Sequence, residues 1–209
     1  MRKRRTPRKV NPTFAVVVDG ETEMWYLKML QQNERDLRIT IKPEIPKRKN
    51  IEEQYKRVCA FSDKRKEYDK VFWVVDFDAI IKETRETAKN KKSSLDFFIE
   101  YRHKINKKYP HVVVIVNNPC LEFWFLLHFE QTSKYFTADE AEKQLKKHMA
   151  DYEKTEKYFK KANNDIYQRL RPHLTDAIRH SLALGGFSDE APKKAMSEME
   201  LLFQSLGLD

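Results

Sequence analysis

Phe14-Ala15-Val16-Val17-Val18-Asp19-Gly20-Glu21-Thr22-Glu23 joins five consecutive apolar residues to an acid, a glycine and a polar helix start. An apolar, largely β-branched run without alternation is what a strand buried on both faces requires, so Phe14 to Val18 is expected at the centre of a parallel sheet. After Gly20 the period changes. Trp25, Leu27, Met29 and Leu30 recur at helical intervals between Thr22 and Gln32, with Glu23 in the first turn. Leu37 to Ile45 alternates like a peripheral strand, and Ile51 to Lys66 spaces Tyr55, Val58, Cys59 and Phe61 for one helical face. Val71 to Val75 is a second buried run, ending in Asp76-Phe77-Asp78; Leu95 to Lys108 reads as helix and His111 to Val116 as a third buried strand. Such alternation specifies an α/β domain with a mainly parallel sheet flanked by helices. From Thr137 onward only helical periods are visible, punctuated by Pro172 and Gly185-Gly186. The expected division is a basic tail over 1–12, an α/β core over 13–135 and a helical region over 136–209 packed on that core.

Composition narrows the class. The chain has 209 residues, 40% of them apolar and 35% charged, with only 4 Gly, which suits a helix-rich body and argues against a many-turned all-β one. No apolar run approaches the roughly 18 residues of a spanning helix, and no apolar segment follows the basic N-terminus as in a secretory signal. Cys59 and Cys120 lack zinc-site spacing, so a reducing, cytoplasmic setting is expected. The net charge of +9 points to a polyanionic partner such as nucleic acid. Arg2, Lys3, Arg4, Arg5, Arg8 and Lys9 account for six of those charges and leave +3 for the remainder, so the tail is either a solvated extension or a nucleic-acid-binding arm. Lys47, Arg48 and Lys49 after Pro46 form a second basic stretch of the same kind.

The acids fall where an open parallel sheet binds ligands, beyond the carboxyl ends of its strands. Asp19 ends the first buried strand, Glu23 lies a helical turn later, and Asp76 and Asp78 end the next buried run. In extended chain, residues 76 and 78 point to the same side while Phe77 points away. Carboxylates gathered in one place repel unless a cation neutralises them, and oxygen ligands without an adjacent His or Cys pair favour Mg²⁺ or Mn²⁺ over zinc. Taken singly, each acid has a plainer reading: a first-turn acid favoured by the helix dipole, a loop DxD, an Asp-Gly turn. Their joint placement is the signal. Farther on, Glu122 starts a helix of Phe123, Trp124, Phe125, Leu126 and Leu127, and a carboxylate on so apolar a helix needs a partner or a metal. His128 lies about 120° round from Glu122 on an ideal helix and reads as structural.

These motifs resemble a known family. Val16 to Glu23 followed by Tyr26 is similar to the E-G-x-x-T-E opening of RloB-like and overcoming-lysogenization-type Toprim proteins, and Asp76-Phe77-Asp78 resembles the Toprim DxD. Asn118-Pro119-Cys120-Leu121-Glu122-Phe123-Trp124, through Leu127-His128-Phe129, resembles the N-P-x-x-E-x-W and L-H-F block of the RloB-like group, and Tyr152-Glu153-Lys154 a later Y-x-K element. The pattern is departed from at Asp19, where Toprim domains usually carry Glu, and the shorter arm moves the carboxylate by about one methylene, to which enzyme geometry is sensitive. The resemblance implies a Toprim-like fold and a Mg²⁺-dependent nuclease, with Asp19, Glu23, Asp76, Asp78, Glu122 and Lys154 as site residues. It also implies bacterial phage defence of the abortive-infection kind and an ATPase partner; a homo-oligomer is a further expectation, though the sequence does not establish the oligomeric state. Two rivals stay open: a non-catalytic subunit that senses nucleic acid or nucleotide, and primase-like nucleotidyl transfer through the same acids.

Overall fold

The computed structural model describes residues 12–37, 40–46, 50–88, 90–190 and 194–208. The basic tail residues Arg2, Lys3, Arg4, Arg5, Arg8 and Lys9, and the stretch Lys47, Arg48 and Lys49, lie outside the described residues. In chain order, β1 (Thr13–Val17), α1 (Glu21–Asn33), β2 (Thr40–Glu44), α2 (Ile51–Ser62), β3 (Lys70–Asp76), α3 (Phe77–Glu86), α4 (Ser94–Lys108), β4 (Val112–Asn118) and α5 (Leu121–Leu127) come first. They are followed by α6 (Ala138–Leu145), α7 (Glu156–Phe159), α8 (Ile166–Leu170), α9 (Leu174–Leu184), β5 (Met196–Ser197) and α10 (Glu200–Leu206). The sheet runs β2-β1-β3-β4-β5, with the first four strands parallel and β5 antiparallel to β4.

The three apolar runs become β1, β3 and β4, the interior strands, because only an interior position hides both faces of a chain such as Val71-Phe72-Trp73-Val74-Val75. Thr40 to Glu44 alternates and takes the edge. Several helices start where a side chain satisfies their first amides. Asn50 accepts from Glu53 N–H at the start of α2, and Ser93 with Asp96, Thr137 with Glu140, and Asp165 with Gln168 form reciprocal caps on α4, α6 and α8. Each such cap stabilises its helix by about 1 kcal/mol.

In three places the structure differs from the sequence expectation. The helix expected to reach Lys66 ends at Ser62, whose Oγ donates back to the Val58 carbonyl at 2.7 Å, and residues 63–66 carry no apolar group to bury. The strand expected to carry the DxD in extended form ends at Asp76, and Phe77 already begins α3. Past Thr137, where only helical periods are visible, Met196–Ser197 adds a short fifth strand. Two residues are too few to show a period.

The chain passes outward from β1 to β2 and then returns across β1 to lay down β3 and β4. That reversal puts a crevice at the carboxyl ends of β1 and β3, where the loops leaving the two strands diverge. Asp19 follows one of these strands and Asp76 ends the other. The side chains of α5 are all buried, Glu122 included, and this helix lies over the same end of the sheet after β4.

Candidate active site

Two residues after β1 ends, Asp19 is held by an amide: Gln54 Nε2 on α2 donates to Asp19 Oδ1 at 2.8 Å, while Trp73 Nε1 on β3 donates to Gln54 Oε1 at 2.8 Å. Gln54 is buried, so this relay fixes its two polar ends. Next comes Gly20, where a Cβ would stand 2.8 Å from Glu23 Oε2. The missing side chain leaves room for Glu23 to fold back over the start of α1, where Thr22 Oγ1 also donates to it at 3.1 Å.

Asp76 closes β3 in register with Asn117 on β4, whose Nδ2 reaches Asp76 Oδ1 at 3.4 Å. Asn117 is itself oriented by Ser197 Oγ of β5, which donates to its Oδ1 at 2.7 Å. The fifth strand therefore sets the amide that faces the site. Asp78 stands in the first turn of α3, and its backbone N–H donates to the Pro119 carbonyl at 3.0 Å, tying the DxD to the loop that leads into α5. Glu122, 2% exposed, accepts from Tyr152 Oη at 2.8 Å and pairs with Lys154 Nζ at 3.0 Å. Lys154 also reaches Glu142 at 3.5 Å.

The acids act on one another. Burial, and then repulsion from Glu23, Glu122, Asp19 and Asp78, push the Asp76 carboxyl well above the usual carboxylate range. Burial and repulsion from Glu122 also raise Glu23, against hydrogen bonds from its own backbone, Thr22 and Asp76 that favour its ionised form. Glu23 and Asp76 therefore lie close enough for the ionisation of one to bear on that of the other. Burial and Glu122 raise Asp78 too, with Lys154 opposing. For Lys154, burial alone would lower the ammonium, but the Glu122 carboxylate overrides it and holds it above its ordinary value. Cys120 and Tyr152 are pushed up by burial and by Glu122, and both stay protonated.

All six expected site residues thus meet at one sheet edge: Asp19, Glu23, Asp76 and Asp78 from the β1 and β3 ends, Glu122 from α5, and Lys154 from the segment before α7. The DxD reaches the pocket by a different route from the one expected. Asp78 faces it because the first turn of α3 aims it there, not because an extended chain alternates. Gln54, Asn117 and Tyr152 complete the setting, and the sequence does not mark them as site residues. An amide inside an amphipathic helix or a buried strand carries no charge signal, and Tyr152 reads as simple packing; only the Gln54 position between two polar partners reveals its work. His128 is structural, as expected, its Nδ1 lying 3.0 Å from the Trp124 carbonyl.

Three or more His, Cys, Asp or Glu groups ready to enclose a metal are not found among the described residues. Mg²⁺ does not require such an enclosure, since it keeps several waters and is commonly held by one or two carboxylates. The donor set, hard carboxylate oxygens gathered around few cations, fits such an ion.

Residues 14–206 match the family model described as RloB-like protein. The chain belongs to the RloB-like family. No curated protein and no solved structure matches it. Within this RloB-like protein the family match takes in the opening from β1 to α1, the DxD and the Asn118 to Phe129 block together, along with the helices that follow. Among the described residues, no helix is long and apolar enough to cross a membrane.

Proposed function

We propose that this protein is a Toprim-type, Mg²⁺- or Mn²⁺-dependent phosphodiesterase that cleaves DNA or RNA. One observation carries the reading: five carboxylates from separate parts of the chain converge at the switch point of the sheet, and burial with mutual repulsion raises three of them, Glu23, Asp76 and Asp78. Structural acids are normally paired off one by one, whereas here Lys154 pairs with Glu122 and is also the cation that acts on Asp78. Asp19, Asp76 and Asp78 are the proposed holders of the ion, with Glu23 and Glu122 beside them. The bound ion would polarise a phosphoryl oxygen and lower the pKa of an attacking water.

The rest is assigned to the chain. Gln54 and Asn117 keep the Asp19 and Asp76 oxygens in place, so binding needs little rearrangement. Tyr152 satisfies the buried Glu122. Lys154, with its side chain 41% exposed, stands between Glu122 and solvent, where its ammonium can offset charge that develops on a phosphoryl group. A role in phage defence and an ATPase partner rest on the family resemblance.

The test is incubation of the purified chain with single- and double-stranded DNA and RNA in Mg²⁺, Mn²⁺ or chelator. Fragments that appear only with metal, and not with Asp76→Asn, are expected. A second reading, a non-catalytic nucleic-acid-sensing subunit, is favoured by the Lys154–Glu122 pair, which already neutralises one acid of the pocket. Metal-independent binding without cleavage would select it.

A further inference from the structure

Beside the acidic pocket a cleft of about 390 Å³ lies between α3 and the segment that enters α6, lined by Asp78, Lys82, Arg85, Pro119, Tyr135 and Asp139 among others. Residues 78, 82 and 85 recur at i, i+4 and i+7, so they share one face of α3, with Lys82 about 6 Å and Arg85 about 10 Å beyond Asp78 along the helix axis. Both cations are exposed. Lys82 has acids at both i−4 (Asp78) and i+4 (Glu86), yet among the described residues neither Lys82 nor Arg85 enters an ion pair. That contrasts with Lys56, Lys104, Lys146 and Lys160, each of which takes the carboxylate four residues earlier. Across the cleft Tyr135 is 44% exposed, while its neighbour Phe136 is buried against Phe123 and anchors the segment. Large apolar side chains exposed to that degree are limited, among the described residues, to Tyr135 and Leu182.

Unpaired cations in a row, an aromatic face turned outward and an acid of the reactive pocket at the same cleft form the combination that single-stranded nucleic acid uses: phosphates for the cations, a base for the ring. We propose that this cleft seats the single-stranded segment flanking the reacting phosphodiester, with Lys82 and Arg85 on its phosphates and Tyr135 stacked on an unpaired base. A paired duplex keeps its bases stacked on one another and offers Tyr135 no face. Asp139, at the first turn of α6, is the one lining group besides Asp78 that opposes a phosphate. The proposal rests on the phosphodiesterase reading for what happens at Asp78, but not for the binding itself.

The experiment is fluorescence anisotropy of the full chain in chelator, with labelled single-stranded DNA and RNA of about 12 nucleotides, within the site size of single-strand-binding folds, and the matching duplex. The double variant Lys82→Ala/Arg85→Ala is expected to reduce the slope of log Kd against log salt by about 1.4, near 0.7 for each phosphate of a single strand that the variant no longer neutralises. Tyr135→Ala should weaken single-strand binding roughly tenfold and duplex binding little, whereas Tyr135→Phe keeps the wild-type Kd. Lys160→Ala, remote and already paired, serves as the charge control. Unchanged Kd and slope in the cleft variants, equal weakening on duplex with Tyr135→Ala, or no binding by the wild type would each overturn the proposal. Cleft-dependent binding without cleavage in Mg²⁺ would uphold it while removing the phosphodiesterase reading. Cleavage whose KM ignores these variants would do the reverse. A difference between the DNA and RNA arms identifies the sugar.

Discussion

Asp76 stands among four other carboxylates, with the Asn117 amide within reach, and that crowding has a thermodynamic sign. A carboxyl raised above its unfolded value of about 3.8 contributes stability below that value and loses it as pH rises through the folded one. Without metal at neutral pH, Asp76→Asn should therefore raise the melting temperature, by about 2–4 °C for each kcal/mol of repulsion and desolvation relieved in a chain of this size. Metal-dependent cleavage should be lost in the same variant. Calorimetry at pH 7 in chelator checks the first effect, and a melting temperature that falls would show that Asp76 is well solvated in its place. Gln54→Met tests the relay instead. It leaves the buried Trp73 Nε1 without its acceptor and Asp19 without that donor, and should cost about 1–3 kcal/mol in urea unfolding. Had only packing been at work, this nearly isosteric change would be close to neutral. The five acids were legible because each stands out chemically at the end of an apolar run or on an apolar helix. Gln54 and Asn117 were not, because an amide gives no sign in the sequence of which buried partner it will meet.

At the scale of elements, buried strands announce themselves, and β1, β3 and β4 were legible from composition alone. The β3–α3 junction was not. Val71 to Phe77 is apolar throughout and broken only by Asp76, so nothing local marks where extended chain gives way to helix; the turn is fixed from outside, by Pro119 accepting the Asp78 N–H. The α5 helix shows how far burial can be carried. At its C-terminal end His128 is 2% exposed, its Nε2 has no hydrogen-bond partner among the described residues, and burial pushes its pKa down to about 3. A depressed histidine contributes stability that is complete above its ordinary value of 6.5 and is lost as pH falls from there toward about 3. Within that window one proton is worth about 1.4 kcal/mol per pH unit. Between pH 7 and pH 5 the wild type should therefore lose about 2 kcal/mol more than His128→Leu, measured by urea unfolding of both at each pH. Equal losses would mean that His128 is already reached by water in the folded state. The raised acids act in the opposite sense over the same range, which is why the difference between the two proteins, rather than either curve alone, carries the test.

For the whole molecule, the charge is unevenly placed: six of the +9 lie within the first nine residues, and the body they precede is only mildly basic. If the proposed nucleic-acid binding holds, that division implies two kinds of contact, and salt separates them. A polybasic segment binds phosphates without regard to sequence or strandedness, and the affinity it adds falls steeply with ionic strength because each neutralised phosphate releases condensed counterions. A cleft with an aromatic face adds a contribution that salt hardly touches, since stacking involves no counterion. Removing residues 1–9 should therefore lower the slope of log Kd against log salt by up to about 4 on single strands, at about 0.7 for each of the six charges removed, on any sequence tried. The preference for single strand over duplex should survive, because Tyr135 lies in the body. The fold should survive as well, since the strand that opens the sheet starts at Thr13. Anisotropy titrations of the full and shortened chains at four salt concentrations, with circular dichroism of both, measure all three. A salt slope unchanged by the truncation would show the tail to be a solvated extension and would leave the body as the whole of the phosphate-binding surface.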